Sequence, residues 1–346
     1  MARWLSDTRG TWRAEAQAIQ QAGLASSRWQ ATDQTATRVD GQNETCHVLG
    51  NALYTVYHTR PGGTRQDVLA VLWGQEPVFR WNADARGWLA ATTLRQTIQD
   101  RLAEVLPADR DLTADNLTQA LAAAGLSLTP QQRQQVWDAL AIAAYHAQTA
   151  VPIVRQLLSD DAAVYHLITD DHALCWVHDG RHYAKLAPVV PHHRALLTAF
   201  REDYWAYYRR LVAYRAAPTP AARDQLRADF VTLVAQRTGY DALDERIAKT
   251  AYNADLLLLV LDHPDIPLHN NAMELAARRR VRKRDVSFGP QSRAGAQAWD
   301  TFQTLVATAA KLGVGLYHYL RDRCLHPATT PSLADRIRLH AQALST

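Results

Sequence analysis

The sequence predicts an α/β fold that carries large helical insertions. Two stretches near the N-terminus, residues 29–39 and 46–59, are rich in Thr, Val, Tyr and Trp and read as strands. Residues 151–158 form an apolar run broken only by Arg155 and Gln156, and read as a buried strand reached across mostly helical sequence. A second long helical stretch follows before a last pair of helices. Strands mixed with crossover helices argue for an α/β layer, with the long helical stretch as an insertion or second lobe.

Taken in order, residues 1–27 read as helix. Trp4, Leu5, Trp12, Ala16, Ile19 and Ala22 have helical spacing and Gly23 is a stop. Asp40-Gly41 between the first two strands is a hairpin signal, because both residues tolerate positive φ. Asn51-Ala52 bends or splits the second stretch, and Arg60-Pro61-Gly62-Gly63 is a turn. Residues 65–73 read as a short helix and 78–81 as a short strand. Residues 84–150 are mostly helical, with one helix starting at Thr129-Pro130. The strand at 151–158 ends in Ser159-Asp160-Asp161. Residues 173–261 are helical again, and Tyr204, Trp205, Tyr208 and Leu211 are spaced to pack as its core. Thr219-Pro220 begins a helix inside this stretch, and Pro264 and Pro267 close it. Helices follow from about Asn271 and over 294–312. No internal repeat is visible. The expected division is a lead-in at 1–27, a core at 28–172 with a helical insertion at about 84–150, a helical lobe at 173–264, core completion at 265–325 and a tail or helix at 326–346.

Composition narrows the class. The chain has 346 residues, 47% of them apolar and 21% charged, which suits a globular protein of one large or two ordinary domains rather than a disordered chain. Cys46, Cys175 and Cys324 are too far apart for a disulfide framework or a Cys-x-x-Cys zinc site, so a reducing cytoplasm is expected. The N-terminus has no apolar signal core, and the longest strong apolar run, 256–261, is far short of the roughly 20 residues that span a bilayer. The net charge of +4 is too small to identify a polyanion partner. Its distribution says more: Arg278, Arg279, Arg280, Arg282, Lys283 and Arg284 are six cations within seven residues. Such a run repels itself and suits a phosphate backbone, although a solvated face is the plainer reading.

Acidic residues carry the candidate chemistry. Metal-dependent phosphodiester cleavage needs converging carboxylates that hold divalent ions, and oxygen ligands suit Mg²⁺. Asp33 lies inside a β-prone stretch, where Asp is depleted. Asp160 and Asp161 follow the buried strand and point to opposite faces, so one of them suits a site; Asp160 is preferred. Asp170-Asp171 is a rival pair behind a weak strand. Glu274 lies three residues after Asn271, where an N-cap with Glu at N3 also reads as a capping box. Cys175, His178 and His182 share a helical face with zinc-like donors, but no fourth ligand is evident, and Trp176 and Tyr183 favour packing.

These segments resemble the insertion-sequence 66 family of transposases. Trp29 to Val39 is similar to the family's first catalytic segment, and Leu157-Leu158-Ser159-Asp160-Asp161-Ala162 to its second. Cys175-Trp176-Val177-His178, with Arg181-His182-Tyr183, resembles the Cys-Trp-x-His block that follows. Ile266 to Glu274 resembles the Asn-Asn-Ala-x-Glu segment carrying the last acid, with Met273 where Ala is commoner. The basic helix, Phe288-Gly289 and Lys311-Leu312-Gly313 continue the match, which spans about residues 25–335.

The resemblance implies a ribonuclease-H-like core and a DDE site at Asp33, Asp160 and Glu274, with Asn270 and Asn271 in support. It implies Mg²⁺, with Mn²⁺ as substitute, and DNA as partner, both element ends and target. It further implies a homo-oligomer on DNA and accessory proteins of the same element. The expected activity is DNA cleavage and strand transfer. Family members also carry an N-terminal region with coiled-coil-like, cysteine-bearing and DNA-binding segments that this sequence lacks. A shortened, inactive DNA-binding remnant and a stand-alone nuclease of the same fold are therefore the alternatives.

Overall fold

A computed structural model describes residues 10–344. Trp4 and Leu5 of the expected first helix lie outside the described residues. In chain order the elements are α1 (Thr11–Ala25), β1 (Trp29–Val39), β2 (Gln42–Gly50), β3 (Thr55–Arg60), α2 (Arg65–Trp73), β4 (Phe79–Arg80), α3 (Ala83–Ala90), α4 (Gln96–Val105), β5 (Asp111–Leu112), α5 (Ala114–Ala123) and α6 (Pro130–Ala147). They continue with β6 (Gln156–Ser159), β7 (Asp171–Leu174), α7 (Trp176–Ala184), α8 (Pro191–Ala216), α9 (Pro220–Val234), α10 (Asp241–Tyr252), α11 (Ala254–Leu257), α12 (Asn271–Ser287), α13 (Arg293–Lys311), α14 (Leu316–Leu325) and α15 (Leu333–Leu344). The fold is mixed α/β, and its main sheet has the strand order β3-β2-β1-β6-β7.

The chain divides into two compact units. The first holds the described residues up to Ser27, then Gln34–Val154, and those from Ala276 on. Here the expected hairpin forms: Asp40 and Gly41 both adopt positive φ, 48° and 72°, the pattern of a type I′ turn whose twist matches the strands. Asn51 breaks the following stretch into β2 and β3, which pair antiparallel from Thr45↔Arg60 to Gly50↔Thr55. As an edge strand, β3 would expose a row of N–H groups. Side chains of α13 take them instead. Asp300 accepts from Thr59 N–H at 2.7 Å, Thr304 from Tyr57 N–H at 3.1 Å and Thr308 from Thr55 N–H at 3.2 Å. Acceptors every four residues on the helix meet donors every two residues on the strand. That spacing is legible in the sequence only once the two elements are known to be neighbours.

The second unit holds Arg28–Asp33 and Arg155–Leu275. The start of β1 pairs in parallel with β6, and β6 with β7. Helices α7 to α11 build the lobe. Its core stripe on α8 runs Leu197, Phe200, Tyr204, Tyr207, Leu211 and Tyr214, all buried. Tyr204 and Leu211 are thus core as expected, but Trp205 and Tyr208 are only partly buried. The 3.6-residue period turns them off the stripe and brings Tyr207 and Tyr214 onto it. Gly180, within α7, lets α8 approach closely: a Cβ there would stand 2.6 Å from the Trp205 ring.

Three expectations on the strands change. The strand read at 151–158 forms only over Gln156–Ser159. Pro152 has no N–H to give a ladder, and the Val154 N–H goes to the Tyr145 hydroxyl at 2.8 Å. The stretch read as helical from Ala173 begins with β7, whose four residues are too few to show a period. Within 84–150 a short strand, β5, pairs antiparallel with β4, the expected strand at 78–81, in a small second sheet.

Candidate functional site

The sheet register places the first two acids. Parallel pairing of β1 with β6 aligns Trp29 with Gln156, Gln30 with Leu157 and Ala31 with Leu158. Continued by two residues, it sets Asp33 level with Asp160 on neighbouring strands, whose spacing is about 4.8 Å. The pairing of β6 with β7 aligns Ser159 with Leu174, and one step further sets Cys175 level with Asp160. The bond from Cys175 N–H to Ser159 C=O, 3.0 Å, carries the ladder that far. Residues at one level of adjacent strands share a face. Tyr165 senses both acids. Its phenol is pushed above the ordinary tyrosine range by burial, then by the negative charges of Asp160 and Asp33.

Glu274 arrives from α12. Trp176 fixes the facing helix: its backbone N–H donates to Leu268 C=O at 3.0 Å and its indole N–H to Leu257 C=O at 2.8 Å. The ring packs on Tyr204, Tyr207 and Phe230. So anchored, α7 presents His178 and Arg181, one turn apart, to Glu274. Arg181 Nη1 donates to Glu274 Oε2 at 2.9 Å, and His178 Nε2 stands 3.7 Å from Oε1. One donor atom each of Cys175, His178 and Glu274 lie within 4.8 Å of one another. Asn270 is buried and ties this corner to β1. Its Nδ2 donates to Thr32 C=O at 2.7 Å, and its backbone N–H to Cys175 Sγ at 3.3 Å. Asn271 is exposed. The capping-box reading of Glu274 gives way, because α12 is started by the Asn270 carbonyl, which accepts from Met273 and Glu274 N–H, and the Glu274 carboxylate turns to Arg181.

The competing acids are engaged elsewhere. Asp161 meets Lys249 at 3.3 Å, Asn253 at 3.1 Å and His166 at 3.0 Å. Burial works to raise its carboxyl, yet Asn253 and Lys249 hold it below the usual range. Asp170 pairs with Arg155 at 2.8 Å, and Asp171 with His263 at 3.5 Å. A cavity of about 430 Å³ opens beside the row of acids, lined among others by Asp160, Cys175, His178, His182 and Lys249. His182 therefore faces the cavity, while Glu274 stands in its place beside Cys175 and His178. Sequence reasoning missed Arg181 as the partner of Glu274; its signal was the position one turn after His178.

In the first unit, the basic run of α12 divides. Arg278, Arg279 and Arg282 are exposed. Arg280, expected to face DNA, is fully buried, paired with Asp300 at 2.7 Å and bonded to Gln303 at 2.5 Å and to the Thr59 hydroxyl. Arg284 donates to Ala36 C=O at 2.6 Å, and Lys283 sits 4.8 Å from the Trp299 ring centroid. A run of like charges reads as one surface in sequence, but a helix turns every residue about 100° and must aim some of them inward.

A family model described as "Transposase IS66 family" matches residues 143–298. A protein of Sinorhizobium fredii, "Uncharacterized protein y4jO", is 31% identical over 308 residues, which is 87% of this chain and 93% of that protein. No solved structure matches the chain.

Proposed function

From the premise that the chain belongs to the Transposase IS66 family, we propose that it is a DDE-type catalytic region that cleaves DNA and joins strands, with Asp33, Asp160 and Glu274 as its acids. The observation that carries this reading is the register that levels Asp33 with Asp160 on adjacent parallel strands. The mixed sheet, with helical insertions before and after β6 and β7, supports the ribonuclease-H-like core that the sequence resemblance implies.

The residues fit a divalent cation. Two carboxylates share one level of the sheet, and Glu274 Oε1 is buried without a hydrogen-bond partner. Mg²⁺ held by Asp33 and Asp160, with Glu274 completing the set, would lower the pKa of a bound water and stabilise the leaving oxygen. Arg181 orients Glu274, and Asn270 holds the acid-bearing corner of α12 against β1. Water oxygen forms a bond to phosphorus, the bond from phosphorus to the 3′ oxygen breaks, and the 3′ oxygen leaves as a hydroxyl after taking a proton. That hydroxyl then attacks a target phosphodiester with the same exchange of bonds.

Labelled element-end duplex incubated with the chain and Mg²⁺ tests this. Nicks ending in 3′-hydroxyl, abolished by chelation, are expected. Binding without cleavage at any divalent-ion concentration would leave the non-catalytic remnant instead.

The exposed arginines of α12 would hold phosphates rather than read bases. The Arg278→Ala/Arg282→Ala double variant is expected to flatten the log–log salt dependence of duplex binding by up to about two units, at roughly 0.9 per phosphate contact. An unchanged slope with an unchanged thermal melt would make these cations a solvated surface.

A further inference from the structure

We propose that Cys175, His178 and Glu274 form a second, thiolate-containing site that takes a soft divalent cation of the Zn²⁺ class, with a water or substrate oxygen in its fourth position. The site uses the Glu274 oxygen also assigned to the proposed catalytic acids, so the two ions compete for it, while Cys175 and His178 belong to this site alone.

The donors are gathered before any ion arrives. Their ligand atoms lie within 4.8 Å of one another. The separation of His178 Nε2 from Glu274 Oε1 is 3.7 Å. Ligands at about 2.0–2.2 Å from one tetrahedral ion stand roughly 3.3–3.6 Å apart, so small movements close the set. Three further observations point to a ligand. Glu274 Oε1 is buried and unpartnered, while Oε2 already has Arg181, so the carboxylate offers one oxygen without losing its clamp. Arg181 donates to His178 Nε2 at 3.3 Å, so that nitrogen is the unprotonated one, and an ion would take its lone pair in place of this hydrogen bond. Arg181 is half exposed and can release the imidazole while keeping the carboxylate.

Cys175 supplies the third. It is 1% exposed, and its sulfur accepts the backbone N–H of Asn270 at 3.3 Å. A metal-bound thiolate is stabilised by such a donor. Asn270 is 2% exposed and its Oδ1 is unpartnered beside this corner, which provides an acceptor for a metal-bound water. A sulfur, nitrogen and oxygen set favours Zn²⁺ or Co²⁺ over Mg²⁺, which takes oxygen ligands.

The test is titration of the metal-free chain with Co²⁺, a spectroscopic stand-in for Zn²⁺. One equivalent is expected to produce a near-ultraviolet thiolate-to-cobalt charge-transfer band that survives excess Mg²⁺. Cys175→Ser should remove the band, and His178→Gln and Glu274→Gln should each weaken binding by more than about tenfold. Cys324→Ser and Cys46→Ser should leave it intact. Asp33→Asn and Asp160→Asn should keep the band whether or not they cleave DNA, which separates failure of this site from failure of the catalytic reading. Absence of the band in the unaltered chain, or its persistence in Cys175→Ser, overturns the proposal. If Cys175→Ser does not fold, undiminished binding in both His178→Gln and Glu274→Gln overturns it equally.

Discussion

Asp160→Asn is expected to slow Mg²⁺-dependent DNA cleavage by about 10³-fold or more. The substitution keeps the shape of the side chain and removes its negative charge. A carboxylate that positions a divalent cation supports several kcal/mol of transition-state stabilisation, and about 1.4 kcal/mol corresponds to each factor of ten in rate. Asp33→Asn should match it, because the register of β1 with β6, continued by two residues, sets the two acids level. Asp161→Asn is the informative control. Asp161 is held by Lys249, Asn253 and His166, so its loss should cost stability while leaving the rate of the folded enzyme within a few-fold. Cleavage rates measured against thermal melts for the three variants decide the matter. Asp160→Asn cleaving within tenfold of the unaltered chain would sink the assignment, and a collapse in Asp161→Asn alone would move the site by one residue.

Arg280→Ala is expected to destabilise the protein by about 3–5 kcal/mol, the cost of removing one partner from a buried ion pair. Arg280 is fully buried against Asp300, Gln303 and Thr59. Asp300 in turn accepts both the N–H and the hydroxyl of Thr59 on the sheet edge. Without the guanidinium that carboxylate keeps its buried position and loses its counter-charge; burial already raises its proton affinity, which Arg280 opposes. Arg280→Lys should recover only part of the loss, since an ammonium cannot reproduce the planar fork. Arg278→Ala, on the exposed side, should change stability by less than about 0.5 kcal/mol. Urea denaturation of the three variants measures this. Equal stability of Arg280→Ala and Arg278→Ala would contradict the buried pair.

Much of what is local was legible in the sequence. The Asp40-Gly41 hairpin, the split at Asn51, the helix opened by Thr129-Pro130 and the helix from Asn271 all form where expected. Their signals lie in adjacent residues, where backbone sterics and capping act without help from the rest of the chain. The sequence also singled out the stretches bearing Asp33, Asp160 and Glu274. It preferred Asp160 to Asp161 without access to the parallel register between strands more than a hundred residues apart that bears on that choice. Nor could it tell that β7 is a strand, that Arg280 leaves the basic surface to meet Asp300, or that Glu274 turns from its helix end to Arg181 and His178. Those outcomes belong to tertiary structure. Each is set by which distant groups a packed interior brings within hydrogen-bonding range, and a buried charge must find its partner wherever the fold provides one.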